Sequence, residues 1–279
     1  LTDEALRLMD EAGDAPFLLN LWYHTPHTPM NGKPALVQRV EKQIRAGMHH
    51  RNADYAAMIA SLDENIGRIL RRIDRNGWRR QTVIVFMSDN GADGNSVYDV
   101  GRTREWIHKD MDNSTVNIGR PGSFAEYGPG WAQVGMTPFK MYKSFMYEGG
   151  ISVPAIAWGP GINGGTVKRE FAHVMDIAPT IYELAGTHHP GTRYNDREVL
   201  PLRGKSMLPY LQGKAKLVRG KDEPIGWELG GRKALRKGDW KIVYANQPWG
   251  TGDWELYNIA KDRSESRNLA RSEERRVGK

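Results

Sequence analysis

The sequence predicts an α/β protein in which helices flank a mostly parallel sheet, followed by a smaller antiparallel subdomain. Three observations support this prediction: two apolar runs of strand length, a long amphipathic helix between them, and a cluster of short strand candidates near the C-terminus. The 279 residues include 39% hydrophobic and 26% charged residues, which excludes a disordered, collagen-like or coiled-coil chain. No apolar run reaches the roughly 18 residues of a membrane span, so none is predicted.

The first two elements are a helix and a strand. Leu1–Leu8 has the pattern of an amphipathic helix, which Thr2 or Asp3 would cap and Gly13 would end. Pro16–Tyr23 is a continuous apolar run, as a buried parallel strand requires.

A long helix and a second strand come next. Apolar residues recur at three- and four-residue steps from about residue 52 to residue 76, and Gly77 ends the pattern. Thr82–Met87 is rich in β-branched residues and predicts a second buried strand. The order strand, helix, strand favours a right-handed βαβ crossover.

The stretch of residues 88–147 is rich in Gly, Asn, Asp and aromatic residues and is predicted to be a long functional loop. Ile151–Trp158 is predicted to be a third strand. Asp176 is the predicted cap of a helix that reaches Leu184 and contains Pro179 near its start.

Short strand candidates separated by glycine turns predict an antiparallel meander after Gly220. We therefore place the main domain at residues 1–219 and a C-terminal subdomain at residues 220–270. Residues 271–279 resemble the translation of a sequencing-adapter oligonucleotide and are predicted to be a non-native tail. An ordinary charged, frayed terminus is the alternative. The strand candidates are Ile225–Leu229, Arg232–Arg236, Trp240–Tyr244 and Trp254–Tyr257.

The charge and the cysteine content exclude several functions. Four basic and two acidic residues of the tail account for +2 of the net charge of +7, which leaves +5 for the rest. This charge permits an anionic substrate, but it argues against a nucleic-acid partner without a basic stripe. The arginines between residues 68 and 80 are interpreted as a solvated helix face. The absence of cysteine excludes disulfides, thiolate metal sites and a cysteine nucleophile in these residues.

Two polar side chains directly follow the second predicted strand. Asp89 and Asn90 lie where ligands of α/β proteins gather, beyond the carboxyl end of a strand. A carboxylate beside an amide carbonyl offers two hard oxygens, which suit Ca²⁺ or Mg²⁺. Asp-Asn-Gly is also a common turn sequence, and that interpretation stays open.

His27 and Lys143 could add an acid and a cation. His27 lies between Pro26 and Pro29, which restrain the backbone, and it could donate to an anion or protonate a leaving group. Lys143 precedes Glu148–Gly150 and could contact an anion. An isolated histidine is more often a hydrogen-bonded structural residue, and a lone lysine normally lies on the surface. Together with the hard oxygens they indicate a site for metal-assisted attack on an oxyanion ester.

These residues and several others resemble, in the same order, the motifs of the type I sulfatases of the alkaline-phosphatase superfamily. The resemblance reaches Ala270 and includes features most similar to bacterial arylsulfatases, such as Gly226–Leu229. The matching segments are Pro16-Phe17, Thr25–Pro29, Tyr55–Leu70 with Asp63, Phe86–Gly91, Lys143, Tyr147–Gly150, Met175-Asp176, Pro179-Thr180, Leu202–Ser206, Trp254–Asn258, Asp262, Glu265 and Asn268-Leu269.

The resemblance implies a role for each candidate residue. Asp89 and Asn90 match two of the four Ca²⁺ ligands of the family, with Mg²⁺ the less favoured ion. His27 matches the histidine beside the sulfate and the leaving-group oxygen, and Lys143 matches a lysine that binds the sulfate. Both are therefore expected to be catalytic and substrate-binding.

The family nucleophile is a formylglycine made from a C/S-x-P-S/A-R motif, which does not occur in these residues. We therefore expect that about two-fifths of the enzyme lies upstream, and that residues 1–279 alone are inactive. The implied activity is hydrolysis of small-molecule sulfate esters. The compartment stays open, since the absence of cysteine is compatible with the bacterial cytoplasm or periplasm. The alternatives are a phosphonate or phosphodiester hydrolase of the same superfamily, or a non-catalytic binding domain with the sulfatase fold.

Overall fold

The computed structural model describes residues 1–27, 30–48, 51–94, 101–114, 116–117, 122–124, 126 and 128–270. The predicted tail, residues 271–279, lies outside the described residues. The chain divides into two compact units. The first comprises residues 1–80 and 95–128, and the second comprises residues 81–94 and 129–279.

Helices dominate the described part of the first unit. The amphipathic pattern of residues 52–76 forms the longest helix, α3, and its prediction is confirmed. The side chain of Asn52 caps α3 by accepting a hydrogen bond from the N–H of Tyr55 at 2.9 Å. The other helices are α1 (Thr2–Ala12), α2 (Pro34–Glu41) and α4 (Gly101–Asp110), and α3 spans Ala53–Arg75.

Helix α1 contacts α3 through a buried apolar face and an ionic rim. Ala5 and Met9 are each 2% exposed. Arg68 and Arg72 of α3 pair with Asp3 and Asp10 of α1. Part of the arginine-rich face of α3 therefore forms ion pairs with α1, a helix of the same unit.

The strand predicted at Pro16–Tyr23 is absent, because the described residues of this segment form no regular hydrogen-bonded structure. An extended segment becomes a strand only when a neighbouring backbone satisfies its N–H and C=O groups. Leu18 is 67% exposed and Trp22 is 82% exposed, so the apolar run is not buried as predicted. The predicted βαβ crossover is therefore wrong for the described residues.

The second unit contains the strand that follows α3 and its antiparallel partner. Strand β1 (Ile84–Met87) pairs with β2 (Ala155–Trp158), with Ile84 opposite Trp158 and Met87 opposite Ala155. The expectation of parallel strands is wrong for this pair. The turn after β1 hydrogen-bonds to the turn before β2, so the end of one strand meets the start of the other and the two must run in opposite directions.

Four antiparallel strands near the C-terminus confirm the predicted meander. Their order in the sheet is β5-β6-β7-β8. Alternate residues face inward, and Ala234, Val243 and Tyr257 form a buried core with Phe145 and Tyr147. The strands are β5 (Pro224–Leu229), β6 (Arg232–Lys237), β7 (Trp240–Tyr244) and β8 (Trp254–Asn258).

Helices replace part of the predicted loop and part of the third predicted strand. Helices α4 and α5 (Gly128–Met136) lie within residues 88–147, and Glu148–Ile151 forms the short helix α6 before β2 begins. The remaining elements of the second unit are α7 (Ile177–Leu184), the hairpin of β3 (Arg193–Tyr194) and β4 (Arg197–Glu198), and α8 (Leu208–Leu211). None of the described helices combines the length and the apolar character of a membrane-spanning segment.

Asp176 precedes α7 as predicted, but its side chain does not cap this helix. The carboxylate accepts hydrogen bonds from the N–H groups of His173 and Lys205, each at 2.8 Å, and pairs with Arg219. Asp176 is fully buried, and a buried carboxylate is stable only when such partners surround it.

Candidate active site

The turn that carries Asp89 and Asn90 directly follows β1. The hydroxyl of Ser88 donates to the carbonyl of Asn90 at 3.1 Å, and the N–H of Gly91 donates to the carbonyl of Gly150 at 3.1 Å. The first bond lies within the turn, and the second attaches the turn to α6, the helix that precedes β2. Asp89 is exposed and Asn90 is half-buried, so both side chains can reach a ligand.

The contact between this turn and α6 requires glycine on both sides. A Cβ atom on Gly91 would lie 1.8 Å from the carbonyl oxygen of Gly149. A Cβ atom on Gly149 would lie 2.0 Å from the carbonyl oxygen of Met141. Three backbone segments therefore touch without intervening side chains, which explains why glycines follow both Asn90 and Glu148.

Lys143 is attached to the same loop by its backbone and by its side chain. Its N–H donates to the carbonyl of Ala92 at 2.9 Å, and its Nζ lies 3.1 Å from Oδ2 of Asp93. The structure thus brings Lys143 to the loop of Asp89 and Asn90, as the sequence analysis requires.

The backbone around Lys143 is held in an uncommon conformation. Met141 and Ser144 have φ angles of +62° and +75°, in the left-handed region that non-glycine residues rarely adopt. The carbonyl of Ser144 accepts a hydrogen bond at 3.0 Å from the guanidinium of Arg232, which stacks on the ring of Phe145 at 4.3 Å. Such backbone strain persists only where neighbouring contacts enforce it.

A buried ionic triad supports the other side of α6. Lys241 of β7, with 0% side-chain exposure, has its Nζ 3.0 Å from Oε1 of Glu148 and 2.9 Å from Oε1 of Glu265. The N–H of Glu148 also donates to Oε2 of Glu265 at 2.6 Å. Burial raises the pKa of Glu265 to about 7, although Lys241 acts in the opposite direction. The C-terminal sheet thereby holds the start of α6 through charged groups.

A second buried network lies beside the first. Oε2 of Glu255 accepts hydrogen bonds from Lys140 Nζ at 3.0 Å and from the hydroxyl of Tyr147 at 2.9 Å, and it also accepts one from Tyr257. Burial alone would raise the pKa of Glu255, but these three donors lower it below its ordinary value. Lys140 is therefore committed to a structural carboxylate, and Lys143 is the lysine at the candidate site.

His27 lies in the first unit, whereas Asp89, Asn90 and Lys143 lie in the second. Its N–H closes a turn onto the carbonyl of His24 at 2.9 Å, and the two imidazole rings are 5.3 Å apart. The His27 side chain is exposed. Thr28 and Pro29 of its motif lie outside the described residues.

The donor chemistry of the β1 turn fits a hard cation only in part. Asp89 and Asn90 offer a carboxylate and an amide oxygen, which Ca²⁺ accepts, but it takes about six to eight oxygen ligands. Within the described ranges, no three His, Cys, Asp or Glu side chains form a metal-binding group. These two residues alone therefore do not complete a calcium site.

Sequence comparison assigns the chain to a family. Residues 1–187 match the family described as Sulfatase. The chain belongs to the sulfatase family. It is 41% identical over 221 residues to an uncharacterized sulfatase of Schizosaccharomyces pombe, a match covering 78% of this chain and 39% of that protein. It is 39% identical over 155 residues to an arylsulfatase of Klebsiella aerogenes, covering 55% of this chain and 33% of that protein.

Among solved structures, this sulfatase chain is similar to that of Ps i-CgsB, with a TM-score of 0.67 and 26% identity. That match covers 98% of this chain and 50% of the other. The structural neighbours confirm the expected α/β fold of the alkaline-phosphatase type with its C-terminal antiparallel sheet. The chain spans between 33% and 39% of the length of the two curated relatives named above.

Four charged residues at or beside the site have no role in the sequence analysis: Asp93, Glu148, Lys241 and Glu265. Glu148 and Glu265 lie in segments that resemble sulfatase motifs, but their positions in the sequence do not show that both contact Lys241. Asp93 carries a weak signal, since it is an acid three residues after Asn90 in the same loop. Its pairing with Lys143 depends on residues 50 positions apart in the chain.

Proposed function

We propose that this sulfatase chain is part of an arylsulfatase-like sulfuric ester hydrolase that acts on small-molecule sulfate monoesters. The observation that supports this proposal most strongly is the position of Lys143. Its ammonium is held on the loop that carries Asp89 and Asn90, in a chain that belongs to the sulfatase family. A cation and two hard oxygens at one loop suit the binding of an oxyanion ester.

Lys143 and His27 would have different roles in the reaction. Lys143 would donate a hydrogen bond to a sulfate oxygen and stabilise the negative charge that develops on the departing alcohol oxygen. His27 would supply a proton or a hydrogen bond to that oxygen. Both side chains are polar groups in irregular segments, where a small substrate can reach them.

The proposed cofactors are Ca²⁺ and a formylglycine. Asp89 and Asn90 would provide two of the calcium ligands, and the remaining ligands and the formylglycine would come from residues not identified in this chain. When bound, Ca²⁺ would offset the repulsion between an anionic ester and its nucleophile.

Hydrolysis of 4-nitrophenyl sulfate by the whole protein tests this proposal. Lys143→Ala is expected to lower kcat/KM by about 100-fold or more, as the loss of one oxyanion-stabilising donor typically does. Lys233→Ala removes an equal charge from an exposed position on β6 and should leave kcat/KM unchanged. Absence of sulfate ester hydrolysis by the whole protein would contradict the function, whereas full activity of Lys143→Ala would contradict only the role of Lys143.

A further inference from the structure

The ion pair between Lys143 and Asp93 is accessible to a small solute. Lys143 Nζ lies 3.1 Å from Asp93 Oδ2, and the two side chains are 27% and 42% exposed. The backbone N–H of Lys143 donates to the carbonyl of Ala92, the residue before Asp93, at 2.9 Å. The ammonium of Lys143 and the carboxylate of Asp93 are therefore held close together, and both side chains are partly exposed to solvent.

Any anion that binds to Lys143 must also approach Asp93. An oxygen that accepts a hydrogen bond from Nζ lies about 2.9 Å from it. Because Asp93 Oδ2 is 3.1 Å from the same nitrogen, that oxygen can be no more than about 6 Å from the Asp93 carboxylate. This distance is shorter than the Debye length of about 8 Å at physiological ionic strength, so salt only partly screens the repulsion.

The number of negative charges on the ester then matters. A sulfate monoester carries one charge throughout the physiological pH range, whereas a phosphate monoester carries close to two above its second pKa of about 6. The ammonium of Lys143 attracts every charge on the ester and the carboxylate of Asp93 repels every one, so Asp93 disfavours a doubly charged ester about twice as strongly, in free energy, as a singly charged one. From this geometry we infer that Asp93 is a specificity-determining residue, which selects esters with one negative charge over esters with two.

This inference rests on the proposed function, since it assumes that Lys143 receives the ester. It adds a substrate class to that function: sulfate monoesters and other singly charged esters are accepted, and phosphate monoesters are disfavoured. A second charge about 6 Å from Asp93, at an effective dielectric constant of about 40, changes an equilibrium by a factor of about ten.

Protection of Lys143 from acetylation by a neutral N-hydroxysuccinimide ester tests the inference on the whole protein at pH 8. Peptide mass spectrometry reports the modification of this one lysine, so weak binding is measurable. The probes are methyl sulfate and dimethyl phosphate, which carry one charge, and methyl phosphate, which carries two. Ionic strength is held constant. Each titration gives the concentration that halves the acetylation rate.

Asp93→Asn is expected to lower the half-protecting concentration of methyl phosphate about tenfold more than those of methyl sulfate and dimethyl phosphate. Asp222→Asn is the matched control, because it makes the same change in net charge. Asp222 lies 3.8 Å from Lys237. Arg232 hydrogen-bonds to Ser144, the residue after Lys143. Lys237 lies at the opposite end of β6, about 17 Å from Arg232 along the strand, so the control charge is far from Lys143. The control is expected to leave the preference among the probes unchanged.

The outcomes separate the inference from the proposed function. If methyl sulfate protects Lys143 but Asp93→Asn shifts all three probes equally, the inference is wrong and the proposed role of Lys143 stands. If Asp222→Asn reproduces the effect of Asp93→Asn, the preference reflects net charge and the inference is again wrong. If no probe protects Lys143 in the unmodified chain, the role of Lys143 is wrong and the inference with it.

Discussion

Replacement of Glu265 by Gln should change how the stability of the protein depends on pH. Glu265 is 1% exposed and shares Lys241 with a second buried carboxylate, that of Glu148. Lys241 faces both carboxylates, and the half-exposed Arg263 also places its Nε 3.5 Å from Oε2 of Glu148. Burial is the main reason why the pKa of Glu265 rises from its ordinary 4.5 to about 7.

The size and the sign of the effect follow from proton linkage. Between pH 4.5 and about 7, the folded chain keeps the Glu265 proton while the unfolded chain releases it. The contribution of protonated Glu265 to the free energy of unfolding is therefore complete below pH 4.5, and it is lost as the pH rises through about 7. At about 1.4 kcal/mol for each pH unit, the shift corresponds to a loss of about 3 kcal/mol.

Urea unfolding followed by circular dichroism between pH 4.5 and pH 8 measures this effect. Gln cannot ionise, so Glu265→Gln is expected to be less stable than the natural chain at pH 4.5, by about 1 kcal/mol for an imperfectly replaced hydrogen bond. Relative to the natural chain, it should gain about 3 kcal/mol by pH 8. Glu198→Gln, at an exposed position on β4, is the control and should show no such trend. A constant difference between Glu265→Gln and the natural chain across this range would refute the raised pKa.

Three further predictions concern the candidate site. Gly91→Ala should destabilise the chain by about 1–3 kcal/mol in urea unfolding, because its Cβ would overlap the Gly149 carbonyl, whereas Gly164→Ala, with open space around it, should change stability by less than about 0.5 kcal/mol. Calorimetry should show weak Ca²⁺ binding by residues 1–279, and a submicromolar Kd would contradict an incomplete site at Asp89. The same chain should not hydrolyse an aryl sulfate, and turnover above that of a His27→Ala/Asp89→Ala double variant would overturn this expectation.

Short-range patterns predicted several elements well. The apolar spacing of residues 52–76 predicted α3, and alternation with glycine turns predicted β5 to β8 within about one residue. Periodicity succeeds here because each pattern reflects burial of one face within a single element. The order of motifs also predicted the family, and it directed attention to Asp89, Asn90 and Lys143 as neighbours.

The direction of strand pairing depended on tertiary contacts. An apolar run predicts burial but does not specify which strand it pairs with. Pro16–Tyr23 is therefore predicted as a strand, although no strand of the described residues pairs with it. The antiparallel pairing of β1 and β2 follows from the close packing of Gly91 on Gly149, whose positions are 58 residues apart in the chain.

Thus the sequence by itself determined the family, the long helix and the C-terminal strands, and it named the candidate site residues. Only the tertiary structure decided which charges meet. Lys143 pairs with Asp93, and Lys241 lies between Glu148 and Glu265. The physical reason is range: local propensity acts over a few residues, whereas a charge acquires its partner and its pKa from groups that folding brings together.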